Sequence, residues 1–286
     1  MIPLTNLVSS VSVILTSDPG DREMKPFRQF PKEGRSKIRF VLSDIDDTLT
    51  NNGRLPAAVF SAMESLQEKG LRVIPITGRP AGWCDHIARM WPIDAIVGEN
   101  GAFFFRYDPA LKKMQRHYFL SQKQRQEDRQ KLEQLKQKIL QAVPGADVSA
   151  DQLYREADLA IDFCEDVPPL PQADIDKIVT IFEQAGAQAK ISSIHVNGWF
   201  GDYDKLTMTR ILLKDVFNLT NKDIKDQVLY IGDSPNDCPM FAHIPHSVGV
   251  ANILAFKGHL DAEPAWITQY SGGHGFAEMT RLLLSK

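Results

Sequence analysis

Four short stretches of this 286-residue chain bring carboxylates, a hydroxyl and a lysine to four separate places. Apolar runs typical of buried parallel strands precede three of the stretches, and ligands bind at the carboxyl ends of such strands in open α/β sheets. Asp44, Asp46 and Asp47 would crowd together there, and a divalent cation with oxygen ligands relieves the repulsion between carboxylates. The stretches are VLSDIDDTLT at 41–50, ITGRP at 76–80, DYDKLTM at 202–208 and YIGDSPND at 230–237.

In this order the four stretches resemble the signature of the haloacid dehalogenase superfamily, which reads DxDxT, T/SGR, K and GDxxND. The resemblance extends from about Ile38 to Leu284, and the ordered combination is highly specific. Three further segments look like the sugar-phosphatase branch of that superfamily, which includes the Cof-type enzymes. These segments are GENGA at 98–102, SPNDCPMF at 234–241 and SVGVAN at 247–252.

The resemblance implies a phosphatase that forms an aspartyl-phosphate with Mg²⁺ as its cofactor. Asp44 would be the nucleophile, and Asp46 would protonate the leaving oxygen and then deprotonate the water that hydrolyses the intermediate. Asp47 receives no catalytic role. The family pattern assigns Mg²⁺ to the Asp44 carboxylate, the Asp46 backbone carbonyl and Asp233, with Asp237 assisting indirectly. It assigns the phosphate oxygens to Thr77, Gly78, Lys205 and Asn236.

Ordinary structural roles compete with each of these assignments. Asp44 and Asp46 could be turn or capping residues after a strand, and Thr77 with Gly78 could form a simple turn. Lys205 could be a surface lysine. However, Asp204 predicts a helix cap just before Lys205, and a lysine in the first turn opposes the helix dipole. The agreement of all four stretches therefore favours the catalytic interpretation.

The spacing of the stretches predicts an α/β fold with a Rossmann-like, doubly wound parallel sheet and an inserted, smaller α+β cap. Between Asp46 and Thr77 there is room only for a turn, one helix at about 56–69 and a strand. A much longer segment separates Thr77 from Lys205 and must hold the cap. We expect a catalytic core at 37–102 and 201–286, a cap at 103–200, and a flexible or loosely docked extension at 1–36.

Within the expected cap, one strand carries candidate substrate-binding residues. His195, Asn197 and Trp199 alternate on one face of that strand, and their polar and aromatic groups suit the hydroxyls and ring of a sugar. A sheet face without any ligand explains the same pattern, and Arg155 and Glu156 are weaker candidates. The predicted cap elements are a hairpin at 103–107 and 116–120, helices at 121–142 and 173–185, and strands at 159–163 and 193–199.

Composition sets broader limits on what the protein does. With 43% apolar and 24% charged residues the chain is globular, and its net charge of −3 gives no electrostatic case for binding nucleic acid. No apolar segment is long enough to cross a membrane, and the serine-interrupted run at 7–15 does not resemble a secretory signal. The odd number of cysteines, three, predicts reduced thiols in a cytoplasmic protein.

The expected partner is a small phosphorylated metabolite, and a sugar phosphate is the class that the resemblance suggests. A phosphomutase is the near alternative, because the same aspartate can return the phosphoryl group to the substrate. A catalytically silent protein that binds a phosphorylated ligand is the alternative from another class. Neither the identity of the substrate nor the oligomeric state follows from these residues.

Overall fold

The computed structural model of the chain describes residues 24–192 and 194–285. The apolar run at 7–15 lies outside the described residues. The strands are β1 Lys25–Pro26, β2 Phe40–Ser43, β3 Arg72–Pro75, β4 Ile96–Gly98, β5 Phe103–Asp108, β6 Lys113–Tyr118, β7 Asp147–Val148, β8 Asp158–Asp162, β9 Gln188–Ile191, β10 His195–Trp199, β11 Val228–Gly232, β12 His246–Gly249 and β13 Trp266–Ile267. The helices are α1 Lys32–Lys37, α2 Ala57–Glu68, α3 Ala81–Met90, α4 Gln122–Ala142, α5 Gln172–Gln184, α6 Lys205–Asp215, α7 Asn221–Gln227, α8 Cys238–His243 and α9 Gly272–Leu284.

A parallel sheet with the order β1-β13-β12-β11-β2-β3 forms the centre of the molecule. The central strands β2 and β11 are buried on both faces, as their near-continuous apolar sequences predict. Side chains of β2 alternate between the two faces, so Val41 packs into one core while Phe40 and Leu42 pack into the other. The arrangement confirms the predicted α/β class with a doubly wound parallel sheet.

Helices cover both faces of this sheet. Residues of α2, α3 and α9 pack into the core on one face, and residues of α6, α7 and α8 pack on the other. The predicted helix at 56–69 is confirmed as α2, which Pro56 precedes and Gly70 follows with a left-handed φ of 79°. The loops after β2 and β11 therefore emerge at the same edge of the sheet, because these strands are parallel neighbours.

The predicted hairpin at 103–107 and 116–120 forms, but it does not belong to the cap sheet. Strands β5 and β6 pair with each other, and β5 pairs with β4. A parallel bridge between Ile76 and Val97 joins β4 to the central sheet, and Phe103 and Phe105 are buried in the same core as β2. We therefore propose that the inserted unit begins near Ser121 instead of at residue 103.

The inserted unit has its own four-stranded antiparallel sheet, β7-β8-β10-β9, with α4 and α5 packed against it. Helix α4 agrees with the helix predicted at 121–142, and Ser121 caps it by accepting a hydrogen bond from the Gln124 backbone N–H. Leu132, Leu135 and Ile139 of α4 pack in a core separate from that of the central sheet. We call this unit, residues 121–200, the cap.

The segment before the central sheet is more firmly docked than we expected. From Met24 onward it is described, β1 adds to the sheet beside β13, and Phe27 and Phe30 are buried in the main core. Two phenylalanines supply enough apolar area to hold such a segment in place. The expected loose extension at 1–36 is therefore wrong for residues 24–36, and residues 1–23 lie outside the described part.

Other general expectations can be compared with the described residues. None of the described helices combines the length and the apolar character that a membrane-spanning helix requires. Cys84, Cys164 and Cys238 all lie in the described part, with Cys84 and Cys238 buried and Cys164 half-buried. Their burial agrees with the predicted packing of the cysteines.

Candidate active site

A pocket of about 580 Å³ lies between the edge of the central sheet and the cap, a size in the usual range for small-molecule sites. The loops after β2 and β11 contribute acidic residues, and the start of α6 contributes Lys205. The cap contributes residues of β9 and β10. The sheet-side lining includes Asp44, Asp46, Gly78, Lys205, Asp233 and Asn236, which are six of the residues predicted from the sequence.

Asp44 and Lys205 form a buried ion pair at the base of the pocket. Lys205 Nζ donates to Asp44 Oδ1 at 2.6 Å and also contacts Asp237 Oδ1 at 3.3 Å. Asp44 Oδ2 accepts no hydrogen bond from the described residues, so one carboxylate oxygen is free to react. The ion pair therefore orients Asp44 without blocking it.

Helix α6 is positioned so that Lys205 reaches the acidic loops. The Asp204 side chain caps α6 by accepting from the Thr207 N–H at 2.7 Å, as the sequence predicted. Gly101 packs directly against this start, and a Cβ at Gly101 would overlap the Asp204 carbonyl oxygen. Gly101 also has φ of 107°, a conformation that favours glycine. A turn remote in sequence thus fixes the end of the helix that carries Lys205.

Asp237 organises the acidic loop from below. Its Oδ1 accepts from the Tyr230 hydroxyl at 2.5 Å, and its Oδ2 accepts from the Asp233 and Ser234 N–H groups at 2.9 and 3.2 Å. With Lys205 added, both oxygens of this fully buried carboxylate are occupied. Asp237 therefore orients Asp233 and Lys205 and is not free to bind a cation directly, in line with the indirect role that the family pattern implies.

Burial makes the acidic residues of this site unusually hard to ionise. Burial, reinforced by the carboxylates of Asp237 and Asp46, raises the pKa of Asp44 to about 7 although Lys205 opposes the shift. Burial, followed by Asp237 and Asp44, raises the pKa of Asp233 to about 9. For Lys205, burial lowers the pKa, but the attraction of Asp44 and Asp237 is stronger and raises it overall. Full ionisation of these carboxylates would therefore give the site more negative charge than its lysine can balance.

This excess of buried negative charge fits a hard divalent cation. The donor set consists of oxygen atoms only, and the free oxygen of Asp44 lies in the same pocket as Asp233. Within 24–192 and 194–285, no three His, Cys, Asp or Glu side chains are arranged as a complete metal site. Mg²⁺ does not require such a set, because it commonly keeps several water ligands and uses one or two carboxylates. The residues therefore fit Mg²⁺ held by Asp44, Asp233 and the Asp46 carbonyl.

Asp46 is held by an arginine that the sequence interpretation left without a role. Arg79 Nε donates to Asp46 Oδ2 at 3.0 Å, and Arg79 Nη2 donates to Asp46 Oδ1 at 2.7 Å. The Arg79 guanidinium also stacks over the Trp83 ring, 4.6 Å from its centroid. The paired hydrogen bonds and the stacking fix the Asp46 carboxylate at the pocket wall.

Of the neighbouring residues Thr77 and Gly78, both predicted to bind phosphate, only Gly78 lines the pocket. Gly78 lines the pocket, and its N–H has no acceptor among the described residues, so it is available to an anion. Thr77 is fully buried and does not line the pocket, and its hydroxyl accepts from the Arg79 N–H at 3.0 Å. Thr77 therefore shapes the loop, and only its hydroxyl hydrogen remains to reach a ligand.

Asn236 lies at the opposite side of the pocket and connects the core with the cap. Its amide donates to the Ile191 carbonyl of β9 at 3.1 Å. In this arrangement the amide holds the two units together, so it would have to turn away from Ile191 to bind phosphate. The predicted phosphate contact of Asn236 stays a prediction.

His195 and Asn197 line the cap side of the pocket, as their alternation on β10 predicted. Asn197 Nδ2 donates to Asp158 Oδ2 at 3.1 Å. His195 Nε2 is buried without a hydrogen-bond partner among the described residues, although Glu165 Oε2 lies 2.9 Å away in poor alignment. Burial, followed by the charge of Arg155, lowers the pKa of His195, which favours the neutral imidazole at the cap side of the pocket.

The prediction for Trp199 is wrong, because this side chain belongs to the core and does not line the pocket. Only 2% of Trp199 is exposed, its indole N–H donates to the Tyr203 carbonyl at 3.3 Å, and its ring stacks on Tyr203. The alternation along β10 was correct. However, the strand passes out of the pocket before it ends, so its last residue meets the core.

Several pocket residues were not identified from the sequence. Asn100 lines the pocket next to Gly78, and Lys190 lines it from β9. Asn252 donates to Asp233 Oδ2 at 3.2 Å and to the Asp47 carbonyl at 3.1 Å, so it links the two acidic loops. Arg79, Asn100 and Asn252 all lie in segments that carried the family resemblance. Their position in these segments could have identified them as pocket residues.

Comparison with known proteins agrees with this geometry. The sequence profile of the haloacid dehalogenase-like hydrolases matches residues 41–156. No curated protein matches the sequence significantly. Many solved structures share the fold, including protein 0175 of Thermoplasma acidophilum, with a TM-score of 0.66 and 22% identity over 86% of this chain and 98% of that chain.

Two further structures show the same fold at lower identity. A haloacid dehalogenase-like hydrolase from Bacteroides thetaiotaomicron has a TM-score of 0.61 and 16% identity, over 86% of this chain and 99% of that one. The sucrose-phosphatase of Synechocystis sp. PCC6803, solved with sucrose and phosphate, has a TM-score of 0.57 and 18% identity, over 87% of this chain and 99% of that chain. Residues 41–156 thus resemble the haloacid dehalogenase-like hydrolases in sequence, and the fold of the solved structures extends over most of the chain.

Proposed function

We propose that the protein is a magnesium-dependent phosphomonoesterase that acts through an aspartyl-phosphate on a small phosphorylated metabolite. The observation that carries the proposal is the ion pair between Asp44 and Lys205 beside Asp233, in a pocket that also holds Asp46 and the free Gly78 N–H. In this proposal, these residues supply a nucleophile, an acid/base group, oxygen ligands for a cation and donors for phosphate oxygens.

In the first half of the reaction, the free Oδ2 of Asp44 attacks phosphorus. A bond forms between this oxygen and phosphorus while the bond from phosphorus to the substrate oxygen breaks. Asp46 gives its proton to the departing oxygen, which leaves as a hydroxyl group. Lys205 and the Gly78 N–H hold phosphoryl oxygens, and bound Mg²⁺ would neutralise the negative charge that Asp44 and the phosphoryl group bring together.

In the second half, Asp46 takes a proton from water, and the water oxygen forms a bond to phosphorus. The bond between phosphorus and Asp44 breaks, and inorganic phosphate leaves. Asp46 must carry a proton in the first half, but both of its oxygens now accept from Arg79. We therefore propose that the paired hydrogen bonds from Arg79 open when substrate binds.

For the organic part of the substrate, we propose a sugar phosphate or a similar small polar phosphomonoester. His195, Asn100 and Lys190 line the pocket, and their imidazole, amide and ammonium groups suit hydroxyl groups. The fold shared with sucrose-phosphatase supports the same class. We also propose a cytoplasmic location, because an odd number of cysteines, three, favours reduced thiols.

The direct test is release of inorganic phosphate from an aryl phosphate and from a panel of sugar phosphates, with and without Mg²⁺. We expect release with Mg²⁺ and almost none from Asp44→Asn, because an amide does not attack phosphorus. Asp46→Asn should turn over very slowly but should still form phosphoenzyme from a substrate with a good leaving group, which rapid quenching would trap. Turnover by Asp44→Asn at the unmodified rate would contradict the mechanism, and no release from any substrate would favour a binding protein.

A further inference from the structure

Arg155 of the cap is held in one orientation by two carboxylates. It follows the short turn Gln152–Tyr154, and its side chain is almost completely buried. Its Nε donates to Asp151 Oδ1 at 3.0 Å, and its Nη1 contacts both oxygens of Asp158 at 3.0 Å. A planar guanidinium gripped on two sides has little freedom to turn.

The same Nη1 also reaches out of the cap to the core. It donates to the Gly78 carbonyl at 3.2 Å, which is the only hydrogen bond that the described residues give to this carbonyl. Gly78 is the residue whose free N–H lines the pocket beside Asp44. The Gly78 carbonyl shares a rigid peptide plane with the Arg79 N–H, and only φ and ψ of Gly78 separate this plane from the Gly78 N–H. Holding the carbonyl therefore limits the directions in which the Gly78 N–H can point.

Glu99 of the core holds the chain just after Arg155. This fully buried carboxylate accepts from the Ala81 N–H of the core at 2.9 Å. It also accepts from the N–H groups of Glu156 and Ala157 in the cap, at 2.8 and 2.6 Å. Glu99 has φ of 42°, an uncommon conformation that such a dense set of contacts can maintain. Arg155 is thereby fixed relative to the core as well as to the cap.

Two roles for Arg155 make different demands on its chemistry. If Arg155 only neutralised Asp151 and Asp158, any cation of similar length would serve. Contact with Asp151, Asp158 and Gly78 at the same time requires a planar group with several donors, which lysine lacks. We propose that Arg155 is a positioning residue that holds Gly78 in the geometry that binds phosphate. The proposal rests on the phosphatase function proposed above for this site.

The test compares Arg155→Lys with the unmodified protein. We expect the dissociation constant of inorganic phosphate, measured by calorimetry with Mg²⁺ present, to rise about tenfold, and KM for an aryl phosphate to rise by a similar factor. The unfolding temperature should change little, because lysine still supplies the charge. Arg129→Lys is the matched control, since Arg129 is an exposed cap arginine whose hydrogen bonds to other described residues go to Glu156 alone. It should bind phosphate normally.

A second variant keeps the test decisive if Arg155→Lys does not fold. Arg155→Gln with Asp158→Asn removes a positive and a negative charge together, so the net charge of the cluster is unchanged while Asp151 loses its arginine partner. It should show the same weaker phosphate binding. Unchanged phosphate affinity in a folded Arg155 variant, or an equal loss in Arg129→Lys, would overturn the inference. If the unmodified protein neither binds nor releases phosphate, the proposed function fails instead.

Discussion

Removing divalent cations should make the stability of this protein depend strongly on pH. Asp44 and Asp233 are buried acids whose pKa values rise to about 7 and about 9. Because of Asp44 alone, the free energy of unfolding should fall by about 1.36 kcal/mol per pH unit between about pH 5 and about pH 7, which is roughly 3 kcal/mol in total. Asp44 and Asp233 repel each other, so their titrations are coupled and Asp233 brings no separate, additive loss of stability.

The direction follows from where the protons are. In this range the folded metal-free protein keeps protons that the unfolded chain has released, because the folded pKa of each acid is raised. The contribution of Asp44 to stability is therefore fully present below the unfolded pKa near 3.8 and is lost as pH rises towards the folded value of about 7. Magnesium binds the ionised carboxylates, so it should stabilise the protein more at higher pH. A free Mg²⁺ concentration about 100 times its dissociation constant would raise the free energy of unfolding by about 2.7 kcal/mol.

The assay is denaturant unfolding at about pH 5 and about pH 7, with chelator or with Mg²⁺. We expect the metal-free protein to lose roughly 3 kcal/mol over this range and Mg²⁺ to restore most of it at the higher pH. Asp233→Asn should lower both effects, whereas Asp202→Asn, a change at an exposed aspartate, should alter neither. The reasoning would be refuted if metal-free stability were constant or increased with pH, or if Mg²⁺ stabilised Asp233→Asn as much as the unmodified protein.

The remaining predictions concern the lysine and the cap. Lys205→Met should lower kcat/KM at least about a hundredfold for every phosphomonoester, because two buried carboxylates lose their cation. Lys214→Met, on the exposed side of α6, is the control. Normal turnover by Lys205→Met would contradict the assignment. His195→Ala and Asn197→Ala should weaken selectivity among sugar phosphates but keep the rate of aryl phosphate hydrolysis within about tenfold of the unmodified protein. Trp199→Phe should lower the free energy of unfolding by about 1 to 2 kcal/mol and leave selectivity unchanged. Kinetics on both substrate classes and denaturant unfolding would check this division, and equal slowing of both classes by the two pocket variants would argue against it.

Much of the core could be predicted because local patterns determine it. The apolar run at 228–231 became β11, and the proline and glycine around α2 marked its ends. Periodicity also identified β5 and β6 as a hairpin. It could not show which sheet they would join, because that choice depends on pairing with β4 and on burial of Phe103 and Phe105 in the main core.

The site shows the same division between pattern and placement. The acidic residues and Lys205 were predictable, since they belong to ordered motifs and follow strand ends. The contact of Arg155 with Gly78 spans 77 positions of the chain, and the four backbone donors around Glu99 have no side-chain signature. Trp199 was assigned to the correct face of β10 but to the wrong surroundings, because alternation does not show where a strand leaves a pocket.

The bridge between Ile76 and Val97 extends the central sheet through β4 and β5 to β6, so β1 and β6 are its outermost described strands. These two strands affect how the molecule associates with other molecules. An edge strand with unpaired backbone groups can recruit a strand from another molecule, which is a route to aggregation. At one edge β1 has only two residues, Lys25 and Pro26, and a charged residue and a proline both discourage such pairing. At the other edge, β6 exposes Lys113, Arg116 and His117. Short length and charge thus protect both edges, so the molecule can keep an open sheet without inviting further strands to join it.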